Sequence, residues 1–231
     1  MARSGLRRLI RSIKKKIPKP VAQADSYLQA CKGVIHVGAN IGHEAPVYSR
    51  AGLRVVWFEP IPSVFDRLVD NIAGYDDQTA INGLVTDVDG KTYSFNISDN
   101  DGLSSSIFKM KGHKQMWPKV GFADTVELTS TTLPTALKKN QIDLSEFDAL
   151  ILDTQGSELL VLKGAEAILD KFSLIRAEAA DFEAYEGCST LDEITSWLKD
   201  RGFELFHKNT FKDVEGLGAY CDATYLRVPG E

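Results

Sequence analysis

From residue 33 onward the chain alternates short apolar runs with stretches whose apolar residues recur every three or four positions. Val34, Ile35 and Val37 around His36 form the first run, and residues 53–58, 80–85, 149–152 and 174–177 form four more. Such short runs, bounded by polar and turn residues, predict strands buried on both faces. Residues 43–50, 63–72, 157–169 and 190–200 carry the helical period between them. Strands alternating with helices predict right-handed βαβ units and a mainly parallel sheet. The turn Asp87-Val88-Asp89-Gly90 precedes residues 91–97, whose period of two predicts a hairpin strand. Residues 203–206 and 223–228 predict a closing antiparallel pair. Residues 99–124 show no period and are long for a connection, which marks them as functional or mobile.

Ahead of this unit, Leu6, Leu9, Ile10 and Ile13 follow a helical stripe that Pro18 and Pro20 should end. Residues 22–31 predict a short helix leading inward. The expected organisation is a basic arm, residues 1–20, followed by one α/β domain, residues 21–231. With 43% hydrophobic and 26% charged residues in 231, the chain suits a single globular domain.

The net charge of −5 hides an asymmetry. Arg3, Arg7, Arg8, Arg11, Lys14, Lys15, Lys16 and Lys19 crowd the arm with no acid among them, so the body is more acidic than the total. An acidic body repels phosphate backbones and disfavours a nucleic-acid surface. The arm itself suits an interfacial helix on an anionic membrane, with a solvated tail as the plainer alternative. A transit peptide would share its composition. Cys31, Cys188 and Cys221 form an odd set without metal-ligand spacing, which points to reduced thiols and a cytoplasmic location. No run reaches the ~18–20 apolar residues of a spanning helix.

Three segments carry chemistry. In His36-Val37-Gly38-Ala39-Asn40-Ile41-Gly42 the glycines follow a strand, where they let the backbone turn sharply and approach a ligand. The dinucleotide fingerprint G-x-G-x-x-G would need glycines where Asn40 and His43 stand. In Trp57-Phe58-Glu59-Pro60, Glu59 ends the second strand, 21 residues after Gly38, where a carboxylate can accept from both hydroxyls of a ribose. Asp153, in Leu152-Asp153-Thr154-Gln155-Gly156, ends a central strand over the crevice where open α/β sheets bind ligands. Asp153 could orient a substrate, hold a positive ligand or take a proton. Equally, it could cap the following helix with Glu158 in its first turns.

In that order, HVGANIG, FEP, GLSSS and LDTQGSELLVLKGA resemble the motifs of the FkbM family of O-methyltransferases, across residues 34–178. The resemblance implies a Rossmann-like class I methyltransferase fold with a mainly parallel seven-stranded sheet. It implies methyl transfer from S-adenosylmethionine to a hydroxyl of a saccharide, glycolipid or natural-product acceptor. It places His36, Gly38, Ala39, Asn40 and Gly42 around the cofactor, Glu59 on its ribose, Ser104 and Ser105 near the cleft, and Asp153 at the strand end. Glu178 falls on an acid closing the next strand. Two positions depart from many relatives, which carry Asp at His36 and Glu at Gln155. Fewer carboxylates then remain for a hard cation, and no metal is expected.

Methyl transfer needs alignment, desolvation and a base for the acceptor's proton. Asp153 is the first choice for that base and His36 the second, although a strand-end histidine is more commonly a core residue. Acceptor contacts are expected from residues 99–124 and 182–189. Two other readings stay open: a nicotinamide-dependent oxidoreductase, and a nucleotide-binding module without turnover. Against the former, no Tyr-x-x-x-Lys relay is visible.

Overall fold

A computed structural model describes residues 28–228; the predicted basic arm lies outside them. A 3-10 turn, Leu28–Ala30, leads into β1 (Gly33–Val37), α1 (Ala45–Arg50), β2 (Arg54–Glu59), α2 (Pro62–Ile72) and β3 (Gln78–Asn82). Next come β4 (Leu84–Val85), β5 (Thr92–Ser98), α3 (Gly112–Met116), β6 (Phe122–Thr131) and α4 (Leu133–Lys139). The chain continues with β7 (Ala149–Leu152), α5 (Glu158–Gly164), β8 (Leu174–Ala180), α6 (Leu191–Lys199), β9 (Phe203–Val214) and β10 (Gly218–Arg227).

Seven strands form the main sheet in the order β3-β2-β1-β7-β8-β10-β9. β1 pairs in parallel with both β2 and β7, and β7 with β8, while β10 is antiparallel to its two neighbours. The expected mainly parallel α/β sheet with an antiparallel strand near the C-terminus is therefore present. Ile35, Phe58, Leu150 and Ile175 pack one face against α4, α5 and α6 through Leu137, Val161 and Ile194. Val34, Trp57 and Ile151 pack the other face against Tyr48 of α1 and Leu68 of α2. Both faces are covered, which is why the central strands read as continuous apolar runs.

Local chemistry sets the helix limits. α2 begins at Pro62, whose fixed φ suits a first helical position, and buries Val64, Leu68 and Ile72 as one stripe. α6 starts with a capping box: Thr190 accepts from the Glu193 backbone N–H, and the Glu193 carboxylate accepts from that of Thr190 at 2.7 Å. The single helix predicted over 157–169 is instead α5 followed by a 3-10 segment, Glu166–Lys171. The break falls at Gly164, where a Cβ would lie 2.1 Å from the carbonyl oxygen of Thr86, so the backbones touch there.

The strand predicted over 80–85 divides at Gly83. Its second part, β4, joins a separate three-stranded sheet in the order β4-β6-β5. β5, predicted as a hairpin strand, pairs antiparallel with β6 rather than with the strand before its turn. This small sheet closes one side of a cleft above the carboxyl ends of β1, β2 and β7.

Candidate functional site

The cleft spans about 570 Å³, its solvent-open mouth included. Its floor is the turn after β1. Gly38 has φ +87°, and a Cβ there would lie 1.8 Å from the carbonyl oxygen of Asp153, so the β1 and β7 ends meet backbone to backbone. The N–H groups of Gly38 and Ala39 both donate to the carbonyl of Phe58 at 3.0 Å. Asn40 holds φ +46°, a sparsely populated conformation for a non-glycine, and its side-chain amide donates to the carbonyl of Asp101 at 3.0 Å.

Glu59 is 4% exposed and lines the cleft. One carboxylate oxygen accepts from the Asn40 N–H and the other from the Ile61 N–H, each at 2.9 Å. Burial pushes its pKa up to about 7, against the opposing pull of those two N–H groups. Two fixed oxygens, each able to accept again, form a rigid acceptor pair facing the cleft. Ile61, Leu84, Val85, Phe95 and Leu103 supply an apolar wall beside it.

Asp153 stands one residue beyond β7, next to Glu178 on β8, which pairs with Asp222 on β10. The Gln155 side-chain amide donates to Asp153 at 2.7 Å and to Glu178 at 2.8 Å, and its carbonyl accepts from the Tyr185 hydroxyl at 2.7 Å. Gln155 holds φ +53°, and its backbone carbonyl accepts from Ser106 Oγ at 2.7 Å. Burial raises the pKa of Asp153 to about 7, opposed by the Gln155 bond and assisted by the Glu158 and Glu44 charges. Burial, then the Asp153 charge, raises that of Glu178. One proton shared among closely set carboxyls is the expected state near neutrality.

Asp153 does not cap the following helix: Ser157 stands at the N-cap position with no side-chain bond, and Glu158 instead ties down the turn before it. The Glu158 carboxylate accepts from the backbone N–H of Thr154 at 2.8 Å and of Gly156 at 3.0 Å. Asp153 is left facing the cleft.

The FkbM methyltransferase domain matches residues 36–205. The chain belongs to the FkbM family of methyltransferases. It is 25% identical over 196 residues to methyltransferase sdnD of Sordaria araneosa, covering 74% of this chain and 73% of that one. Among solved structures it is similar to the magnesium protoporphyrin IX methyltransferase of Synechocystis PCC 6803 with bound S-adenosylmethionine. That match has a TM-score of 0.48 and 11% identity, covering 98% of this chain and 84% of the other. It is also similar to M. capricolum TrmK bound to S-adenosylhomocysteine, with a TM-score of 0.49, 8% identity, and 90% and 69% of the two chains covered. Family membership favours methyl transfer over the hydride transfer left open by the glycine turn.

In this FkbM methyltransferase Gly38, Asn40, Glu59, Ser105 and Asp153 line the cleft together. Ala39, Gly42 and Ser104 are not among the lining residues: Ala39 is buried, Gly42 packs on Leu68, and Ser104 accepts from Asn100 at 3.0 Å behind the cleft wall. Nor is His36, whose ring is 4% exposed, lies 5.0 Å from that of Trp57, and is 3.2 Å from the Tyr48 hydroxyl. Burial lowers its pKa to about 4, which keeps the imidazole neutral. Gln155 is marked in the sequence only as a departure in the DTQG string, and Tyr185 only as one of residues 182–189, expected to contact the acceptor. Among the described residues there is no cluster fit to hold a metal ion. Nor is any helix among them long and apolar enough to cross a membrane.

Proposed function

We propose that this chain transfers the methyl group of S-adenosylmethionine to a hydroxyl of a saccharide, glycolipid or natural-product acceptor. The observation that carries this reading is the pair of buried carboxyls in one cleft: Glu59 with fixed acceptor oxygens, and Asp153 with its pKa near neutrality. The residues fit the cofactor chemically. Glu59 offers two acceptors for vicinal ribose hydroxyls, the apolar wall offers a slot for a base ring, and the acids around Asp153 favour a cationic ligand end. When bound, the cofactor supplies a methyl carbon already activated by its sulfonium.

Asp153 takes the proton that the acceptor hydroxyl loses as its oxygen gains the methyl group, so one O–H and one S–C bond break and one O–C and one carboxyl O–H bond form. Gln155 holds Asp153 in place through its 2.7 Å bond. His36 keeps the outer face of β1 packed and takes no proton. Incubation with methyl-labelled cofactor and a panel of hydroxylated acceptors should give a labelled product by mass shift. Asp153→Asn should lower its formation at least about 100-fold, far more than it weakens binding of S-adenosylhomocysteine. Turnover that survives in Asp153→Asn would overturn the base assignment.

A further inference from the structure

Tyr185 is buried and stands in the loop between β8 and α6. Its hydroxyl lies 2.7 Å from the side-chain oxygen of Gln155 and 3.4 Å from the carbonyl of Ser104, so its one proton goes to Gln155. The Gln155 nitrogen directs both of its protons to carboxyls, one to Asp153 at 2.7 Å and one to Glu178 at 2.8 Å. Gln155 lines the cofactor cleft and also a narrow space behind it, shared with Glu178 and Tyr220, that has room for about one water molecule. We propose that Tyr185 is a positioning residue: acting through Gln155, it holds the amide nitrogen against Asp153 and keeps that carboxylate ready as the base. This role rests on the reading of Asp153 as the base of methyl transfer.

A side-chain amide fills nearly the same space in either of two orientations, related by a half turn. With its nitrogen toward the acids, both carboxyls must accept, which favours their ionised forms. With its oxygen toward them, a carboxyl must donate, which favours a protonated form. Asp153 and Glu178 cannot decide between the two, because their own protonation sets which orientation suits them. Tyr185 can decide. Its donor fits the first orientation alone, and in the second it would fall back on the Ser104 carbonyl at 3.4 Å, a poor substitute. The phenol is held firmly for this duty. Its backbone bridges to Met110, its ring lies 5.1 Å from that of His113, and a Cβ on Gly156 would come within 3.1 Å of its Cδ2. Burial keeps the phenol well above its ordinary pKa, so it stays a donor at every working pH. The acids facing Asp153 push the other way: Glu44 ahead of α1, Glu59 of β2, Glu158 of α5, Glu178 of β8 and Asp222 of β10 all favour its protonated form. Tyr220 and His36 stay neutral, and Arg176 of β8 stands in register with Ile151, two residues before Asp153. The bond from Gln155 opposes those acids, and Tyr185 secures that bond.

The test titrates the full chain by NMR, with carbon-13 in the aspartate carboxyls and the Asp153 resonance assigned by its loss in Asp153→Asn. In the parent Asp153 should titrate near neutrality. In Tyr185→Phe its midpoint should rise by about half to one pH unit, the size of one ordinary hydrogen bond. Tyr220→Phe removes a phenol from the same aromatic cluster, one whose hydroxyl bonds to no side chain there, and should leave the midpoint where it is. An unmoved midpoint in Tyr185→Phe, or an equal rise in Tyr220→Phe, would overturn the positioning role. In the parent itself both Gln155 side-chain amide protons should shift along with the Asp153 titration. Amide protons that ignore it would overturn the role even where Tyr185→Phe does not fold. Calorimetry of the parent with S-adenosylhomocysteine separates the two readings. No binding overturns methyl transfer and the base with it, whereas binding with an unmoved midpoint overturns the role of Tyr185 alone.

Discussion

Replacing Glu59 by Gln separates the two duties assigned to that carboxylate. In the native chain each oxygen receives one backbone N–H at 2.9 Å, from Asn40 and from Ile61. A glutamine has one carbonyl oxygen, so its amide nitrogen must face one of those two donors. One charge-assisted bond is lost and two buried donors confront each other, which should cost about 1.5–3 kcal/mol of stability. The ribose loses its two-point acceptor as well, which should cost a further ~1.5–3 kcal/mol of binding, or roughly 10- to 100-fold in affinity.

The pH dependences of the two losses should run in opposite directions. Because the folded-state pKa of Glu59 is raised to about 7, its stabilising contribution is full below the ordinary carboxylate range and fades as pH climbs through that value. The stability penalty of Glu59→Gln therefore shrinks with rising pH. Ribose binding draws on the ionised form, so the affinity penalty grows over the same range. Denaturant unfolding of the cofactor-free protein and calorimetry with S-adenosylhomocysteine, each at about pH 5.5, 7 and 8.5, would record both slopes. An affinity loss under two-fold in a folded variant, or one that does not change with pH, would refute the ribose assignment.

Asp153→Asn should change the pH profile of stability without breaking the fold, since an Asn oxygen can still accept from Gln155. The native Asp153 has its pKa raised to about 7, so it stabilises the fold below the usual carboxylate range and progressively less as pH passes 7. Melting temperatures of the cofactor-free proteins should therefore diverge in favour of Asn as pH rises from the usual carboxylate range to about 7 and stay apart above it; profiles parallel throughout would count against the raised pKa. Gly38→Ala should lower both the melting temperature and the affinity for S-adenosylhomocysteine, by at least about ten-fold for the latter. A methyl there meets the Asp153 carbonyl at 1.8 Å in a left-handed conformation, and thermal melts with calorimetry would check it.

The parts of the fold legible in the sequence are those where burial is two-sided. β1, β2, β7 and β8 are nearly continuous apolar runs, and their limits were read to within a few residues. β6 was not anticipated because it is a largely exposed strand: Asp124, Thr125 and Glu127 interrupt its apolar positions. α4 was missed for a related reason, being two turns long and started by the Thr132 cap and Pro134 rather than by a long stripe. Gly83 was read as lying inside one strand, whereas it divides two that belong to different sheets.

The same contrast holds at the site. Gly38, Asn40, Glu59 and Asp153 were legible because strand ends followed by turns have fixed positions in an open α/β sheet. Tyr220 was not, because its place near Gln155 depends on β10 returning beside β8, a pairing between residues about forty positions apart.

Gln155 also divides the chain by duty. Every residue lining the cofactor cleft falls at or before Ser157, whereas every residue lining the pocket behind it falls at or after Gln155. The two spaces are thus lined by successive stretches of the chain rather than by interleaved ones. Substitutions after Ser157 can therefore reshape the space behind Gln155 without touching the lining of the larger cleft.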